Sequence, residues 1–338
     1  MKNSLIIGFG KRVKTTVFPA LKIINDGVLY IYTRNFEKIN LINNEYDFVP
    51  VKKIDDDLLL KISRIFVCTP NIFFDDILKN ISKLNTKNID LYIDTPILPK
   101  ISNLNFIKNR FKFKNIFVSE DYYFNPINRI VKDIISEYKL GPIKSIEYIN
   151  DGYGYHSLAQ SRYLLGELNI IFGFKNKHFY KFNFIKNKIK ISGNKIDEGY
   201  TVIETKENKI YINHRNKILD MKLNYIYKEG VIYGYTLNDK KIHISKEIKN
   251  DFKNLISICK KYKIYKRIFQ EQIISFVNLI KQSEKLNGDK YYLDDGIKDS
   301  FIIAITNKIK IYLDLSHKNN LVLLTIFKNL YLILFKKK

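Results

Sequence analysis

The feature that most restricts the fold lies in the first thirteen residues. SLIIGFGKRV sets Gly8 and Gly10 between a short β-rich run and the amphipathic stretch TTVFPALKIIND. Glycines at that place let the chain turn sharply while backbone N–H groups and the start of a helix stay open to an anion such as a pyrophosphate. The third glycine of the pattern is replaced by Val13, so an ordinary strand-to-helix turn is the competing reading of the same residues. The context favours the anion site. VLYIYTR, RIFVCTP and IDLYIDTP are further apolar runs of strand length, with LLLKIS and FFDDILKNISKL between them. Strands alternating with crossover segments predict an α/β fold with a parallel, doubly wound sheet.

Open sheets of this kind bind ligands beyond the carboxyl ends of their strands. The second strand ends on Thr33 and Arg34, where an NAD-selective site would carry a carboxylate. A hydroxyl beside a guanidinium suits a 2′-phosphate, so NADP is favoured over NAD, with Arg34 as a plain surface cation the competing reading. Lys11 and Arg12 add positive charge nearby or face water. The later strands end on Thr69, Pro70 and Asn71, then on Asp94, Thr95 and Pro96. The expected cofactor-binding positions are therefore Gly8, Gly10, Lys11, Arg12, Val13, Thr33, Arg34, Thr69, Pro70, Asn71, Asp94 and Pro96.

From about Tyr122 the pattern changes. NRIVKDIISEYK reads as helix, IKSIEYI as strand, and SLAQSRYLLGELNIIF as helix, with Leu158, Leu164, Leu165 and Leu168 at spacings that share a face. Residues 178–246 form extended runs broken by KENK, HRNK, KEG and NDKK, which suits an antiparallel meander. Two amphipathic helices, QEQIISFVNLIKQSEK and DDGIKDSFIIAITNKI, follow, the second opened by acids that favour a helix N-terminus. With no repeat and no linker between them, the two halves are expected to pack closely.

The 338 residues, 46% of them hydrophobic, suffice for a large core. The formal charge of +24 (58 Lys and Arg less 34 Asp and Glu) raises the question of nucleic acid or an anionic membrane. The lysines are scattered, however, and runs such as KKYKIYKR (260–267) read as solvated helix faces; without a zinc-finger or RNP-type pattern, nucleic acid is not an expected partner. Cys68 and Cys259 lie in apolar surroundings without ligand spacing, so neither a disulfide nor a metal site is expected. With an N-terminal apolar run too short for an export signal, a reducing cytoplasm is the expected location. Near the C-terminus, LVLLTIFKNLYLILF holds 15 residues with Lys328 inside it. That is short of the ~20 that span a bilayer. A buried element is expected there, with weak contact to acidic lipid the lesser alternative.

Taken in order, GFGKRVKTTVFPAL, TRNFEK, FVCTPN, IDTP, YYFNP, GPI and GYGYHSLAQSRYLLG resemble the Gfo/Idh/MocA family of NAD(P)-dependent oxidoreductases over roughly residues 1–313. The resemblance implies a Rossmann domain (1–121), an α/β domain for substrate binding and oligomerisation built on a large, mostly antiparallel sheet (122–313), and a tail (314–338) outside the family pattern. It also implies a homo-oligomer, dimer or tetramer, acting on a small molecule: a sugar, polyol or nucleotide-sugar, or another small carbonyl or imine compound. Hydride would pass between the nicotinamide and a substrate carbon while a side chain handles the proton. Thr69, Pro70 and Asn71 match the family's Thr-Pro-Asn, Asn125 and Pro126 its Asn-Pro, and His156 its histidine. A histidine can take or give a proton near neutral pH; a capping or packed histidine is the competing reading. The family's Glu-Lys-Pro is Asp94, Thr95 and Pro96 here, so the lysine that helps polarise the reacting oxygen is replaced by an uncharged hydroxyl. Its aspartates four residues before and three residues after the histidine are Gly152 and Ala159. His156, Thr95 and Tyr123 are the expected catalytic residues, Tyr123 being drawn from a crowd that includes Tyr122, Tyr153 and Tyr155. The departures also motivate an alternative, a catalytically degenerate relative that binds dinucleotide as a sensor or assembly partner.

Overall fold

The computed structural model describes residues 2–81, 83–97, 113–150, 154–168, 170–175, 179–184, 187–192, 199–214, 221–309 and 311–313. Tyr153 and the 314–338 tail lie outside these.

The first half forms a six-stranded sheet from β1 (Ser4–Ile7), β2 (Leu29–Tyr32), β3 (Val49–Val51), β4 (Arg64–Val67), β5 (Asp90–Ile93) and β6 (Asn115–Val118), in the order β3-β2-β1-β4-β5-β6. Every pairing is parallel. All residues of β1 and β4 are buried, as in a sheet covered on both faces. The register decides where the site falls. Ile7 lies opposite Tyr32 and Val67, Val67 opposite Ile93, and Ile93 opposite Val118. The residues that follow, Gly8, Thr33, Cys68, Asp94 and Ser119, therefore form one row along the carboxyl edge, and the order reverses between β1 and β4, where such sheets bind ligands.

The second half holds a ten-stranded sheet. Two neighbouring pairs are parallel (Ile143–Ile149 with Lys188–Ser192, and Lys209–Ile212 with Lys222–Lys228) and the rest antiparallel. Alternating burial, clearest along Tyr200–Thr205, turns one face inward. Helix Gly154–Leu165 packs on this sheet and against helices Pro126–Glu137 and Leu293–Ile309. The chain then returns to the first sheet. Helix Arg267–Glu284 sets Phe276 5.8 Å from Phe66, and its Ser283 lies 2.7 Å from the Tyr92 hydroxyl. At the other end of the strands the buried Arg64 guanidinium donates to Asp26 at 2.9 Å and to Glu284.

Several local expectations are corrected. The helical reading of SLAQSRYLLGELNIIF fails after Leu165, because Gly166 takes a left-handed φ of 82° and Ile170–Lys175 forms a strand. KKYKIYKR is not one helix face; it spans the joint between helices Lys246–Lys261 and Arg267–Glu284, where Lys263 has a φ of 55°. The first of those helices is an addition to the sequence reading, capped by the Ser245 hydroxyl accepting from the Ile248 N–H. Strands β3 and β6 are likewise additions. Cys68 and Cys259 are buried free thiols. Among the described residues no helix is long and apolar enough to cross a membrane.

Candidate active site

The site grows from the turn after β1. Gly8 has a φ of 104°, and a Cβ there would lie 2.6 Å from the Cys68 carbonyl oxygen, so only glycine fits between β1 and β4. Gly10 differs: a Cβ there would meet nothing within 4 Å. Across the same gap Thr69 Oγ1 is buried with no hydrogen-bond partner among the described residues. Open space at Gly10, with an orphaned hydroxyl on the residue that packs against Gly8, fits the close approach of a dinucleotide's pyrophosphate. Val13 is fully buried where the pattern's third glycine would stand, and the helix takes wide π-type turns over Val13–Val17.

Arg12 turns away from the turn and across the strand ends. Its Nη1 donates to Asp121 Oδ2 at 2.8 Å, its Nη2 reaches the Ser119 carbonyl at 3.5 Å, and its Nε stands 3.5 Å from Asp94 Oδ1. Phe276 lies beneath the guanidinium. Burial alone would lower the Arg12 pKa, but the charges of Asp121 and Asp94 outweigh it and raise it. Burial pushes the Asp94 carboxyl up against the pull of Arg12.

Beyond Asp121 the neighbouring acid faces the other way. His156, on helix Gly154–Leu165, has Nδ1 2.7 Å and 2.9 Å from the two oxygens of Glu120. Both residues are buried, at 8% and 1% exposure. Burial pushes the Glu120 carboxyl up while the His156 ring opposes the shift. Against an ionised carboxylate Nδ1 must carry the hydrogen, which leaves Nε2 as the nitrogen that can take or give a proton. Two rings hold the imidazole: Tyr122 stacks at 4.6 Å and Tyr155 tilts against it at 4.2 Å. Burial, with the charges of Glu120 and Asp94, raises the pKa of the Tyr155 phenol, and the Thr95 side chain opposes the rise.

The loop bearing Glu120 is tied down on three sides. Asn125 caps helix Pro126–Glu137, its Oδ1 accepting from the Ile127 N–H at 3.1 Å. Asn128 Nδ2 donates to the Tyr122 and Tyr123 carbonyls at 2.9 and 3.2 Å, while Gln160 Nε2 donates to Asn128 Oδ1 at 2.8 Å. Asn278 Nδ2 donates to the Phe124 carbonyl at 2.8 Å.

The remaining expected positions are spread along the carboxyl edge. Thr33 Oγ1 accepts from the Asn35 N–H at 3.0 Å, and the exposed Arg34 lies over the Phe73 ring at 4.4 Å. Lys11 is exposed, 5.5 Å from the Phe269 ring. Pro70 and Asn71 follow Thr69 at the start of the short helix Asn71–Phe73, and Thr95 joins Pro96 through a cis peptide. Tyr123 packs among Phe124, Tyr163 and Tyr291, its hydroxyl pushed up to about 12 by burial and by Asp289 and Asp295. Sequence reasoning passed over Glu120 and Asp121. The available signal was position: they follow an apolar strand-length run, NIFVSED, where Thr69 and Asp94 follow theirs. Glu120, Asp121 and His156 offer ligand atoms within 4.8 Å of one another, a grouping that could hold a metal ion. In this structure each is engaged by Arg12 or by its neighbour instead.

A parallel six-stranded sheet followed by a largely antiparallel one is the two-domain fold of Gfo/Idh/MocA-type dehydrogenases. Solved structures sharing it include scyllo-inositol dehydrogenase from Lactobacillus casei with bound cofactor NAD(H) and scyllo-inositol (TM-score 0.58, 14% identity, covering 93% of this chain and 99% of that one). An oxidoreductase from Agrobacterium radiobacter in complex with NAD+, L-tartaric acid and magnesium matches with a TM-score of 0.63 and 10% identity over 92% of this chain and 98% of its own. A probable dehydrogenase from Thermotoga maritima matches with a TM-score of 0.59 and 10% identity, again over 92% and 98%. No protein-family model matches the sequence, and no curated protein matches it.

Proposed function

We propose that this chain is an NAD(P)-dependent oxidoreductase acting on a sugar-like or other small carbonyl or imine substrate, with His156 as its acid–base group. The observation that carries this reading is the buried Glu120–His156 pair, set where the carboxyl edge of the parallel sheet meets the second half of the chain. When bound, the nicotinamide gives or accepts the hydride. Gly8, Gly10 and Thr69 would hold the pyrophosphate, with Asp94 and Pro96 towards the nicotinamide. Thr33 and Arg34 would meet the ribose, and the guanidinium over Phe73 favours a 2′-phosphate and hence NADP. Glu120 fixes the tautomer of His156, so that Nε2 takes the proton of a substrate hydroxyl on oxidation and returns it on reduction. Residues 1–121 would serve the cofactor, and 122–313 the substrate and the contacts of a cytoplasmic homo-oligomer.

The test is a fluorescence titration with NADPH, then turnover of a panel of inositols and aldoses by wild type and His156→Ala. The variant is expected to bind NADPH within about twofold of wild type and to lose 10²–10⁴-fold in turnover, the range roughly expected for a positioned acid–base group. Undiminished turnover in His156→Ala would sink the assignment. One observation favours a second reading: Thr95 puts no charge where the resemblance expects a lysine. NADPH binding without turnover of any panel member would select that reading, a dinucleotide-binding sensor or assembly partner.

A further inference from the structure

We infer that Tyr155 is a second catalytic residue, an uncharged donor that hydrogen-bonds the reacting oxygen of the substrate beside His156. The inference rests on the acid–base reading of His156 and extends it to the other demand of the chemistry. When a substrate hydroxyl passes its proton to Nε2, its oxygen gains negative charge that a fixed donor must meet. The surroundings make that demand acute. Asp94, Glu120 and Asp121 stand at the ends of β5 and β6, and each repels such an oxygen. Arg12, the cation among them, already donates to Asp121 and the Ser119 carbonyl and pairs with Asp94. Tyr122 spends its ring on stacking against His156 and is itself buried.

Tyr155 has the geometry the others lack. It immediately precedes His156, its ring lies 4.2 Å from the imidazole, and it is only half-buried. Thr95, just past the carboxyl end of β5, is among the groups that act on its phenol. A phenol carries one hydrogen, which a ligand oxygen placed beside the imidazole can accept. Burial keeps that phenol protonated into the alkaline range, so it serves as a hydrogen-bond donor while His156 moves the proton.

The test uses Tyr155→Phe, which keeps the ring against His156 and removes the hydroxyl alone. Turnover of the inositol and aldose panel is expected to fall about 10²-fold, as for loss of one oxyanion donor, with NADPH affinity unchanged. Thr95→Val, which removes only the threonine hydroxyl, is expected to lose about fivefold. A second readout needs no turnover. In the dead-end complex with NADP+, the carbonyl stretch of dihydroxyacetone labelled with carbon-13 at the ketone is expected to lie lower in wild type than in Tyr155→Phe. Wild-type turnover in Tyr155→Phe, or an unchanged carbonyl frequency, overturns the inference and leaves His156 standing. Loss in Tyr155→Phe with none in His156→Ala overturns the acid–base reading instead. Wild type that binds NADPH but turns over no panel member removes both.

Discussion

Replacing Arg12 by leucine asks whether this cation belongs to the cofactor or to the fold. The guanidinium donates at 2.8 Å to Asp121, whose side chain has no exposure, and lies 3.5 Å from Asp94, whose side chain is 14% exposed. Arg12→Leu leaves the Asp121 charge buried without a partner, which costs about 3–5 kcal/mol for a broken buried pair. Loss of the contact with Phe276 adds about 0.5–1 kcal/mol. A total of about 3.5–6 kcal/mol is roughly a quarter or more of the stability typical of a globular protein. Urea unfolding followed by far-UV circular dichroism, a probe suited to a chain with no tryptophan, should show a midpoint well below wild type. The sharper prediction concerns the double variant. Arg12→Leu with Asp121→Asn removes the orphaned charge together with its partner and should recover at least about half of the loss, because the penalty lies in the uncompensated carboxylate. Arg12→Leu within about 1 kcal/mol of wild type, or no recovery in the double variant, would refute the buried-pair account. A variant of wild-type stability whose NADPH affinity collapsed would instead make Arg12 a phosphate ligand.

Two further outcomes follow from other parts of the chain. Arg34→Ala should weaken NADPH binding by about 10–100-fold and NADH binding hardly at all, since charged hydrogen bonds to the 2′-phosphate are what it would lose; equal losses for both cofactors in paired titrations would reassign Arg34 to the surface. Asp299 is buried against Arg162 and Tyr291, and burial raises its carboxyl above the ordinary value of 3.8 despite both partners. Folded Asp299 thus binds its proton more tightly than the unfolded chain does. Its contribution is fullest at low pH and falls as pH rises from the unfolded value through the raised folded one. The stability of wild type minus that of Asp299→Asn should therefore decline across that window, and a difference that rises there in urea titrations would contradict the sign.

The sequence was most legible where local pattern and long-range pairing agree. Strands β1, β2, β4 and β5 carry fully or alternately apolar runs that end in glycine, threonine or an acid, and parallel register then aligns those endings without further information. Strands β3 and β6, Val49–Val51 and Asn115–Val118, are short edge strands with exposed first residues, so their apolar signal is weak and their pairing is tertiary. The same reason hid half of the candidate site. Ordered motifs single out His156 and Thr95 as candidates, but Glu120 stands out only when residue 156 is brought to it across 36 positions. The acids that pair with Arg12 lie 82 and 109 positions away, so its sequence neighbours give no sign of them.

The Glu120–His156 pair is divided between the two halves of the chain, Glu120 coming from the first sheet's edge and His156 from a helix on the second sheet. A separation error of about 1 Å between the halves would break such a contact, so something must fix their relative position more firmly than the pair itself. The buried amides do this. His156 and Gln160 are four residues apart on one helix face, and both grip the same loop: His156 through Glu120, Gln160 through Asn128 and the Tyr122 and Tyr123 carbonyls. The third hold comes from Asn278, on the helix that also carries Phe276 beneath Arg12. Orientation of the imidazole and docking of the two halves therefore rest on one connected set of buried groups. A substitution that loosens the junction at Asn128 or Gln160 should disturb the orientation of His156 before it disturbs the turn at Gly8 and Gly10, where the Gly8 N–H donates to the Tyr32 carbonyl and Gly8 packs against Cys68.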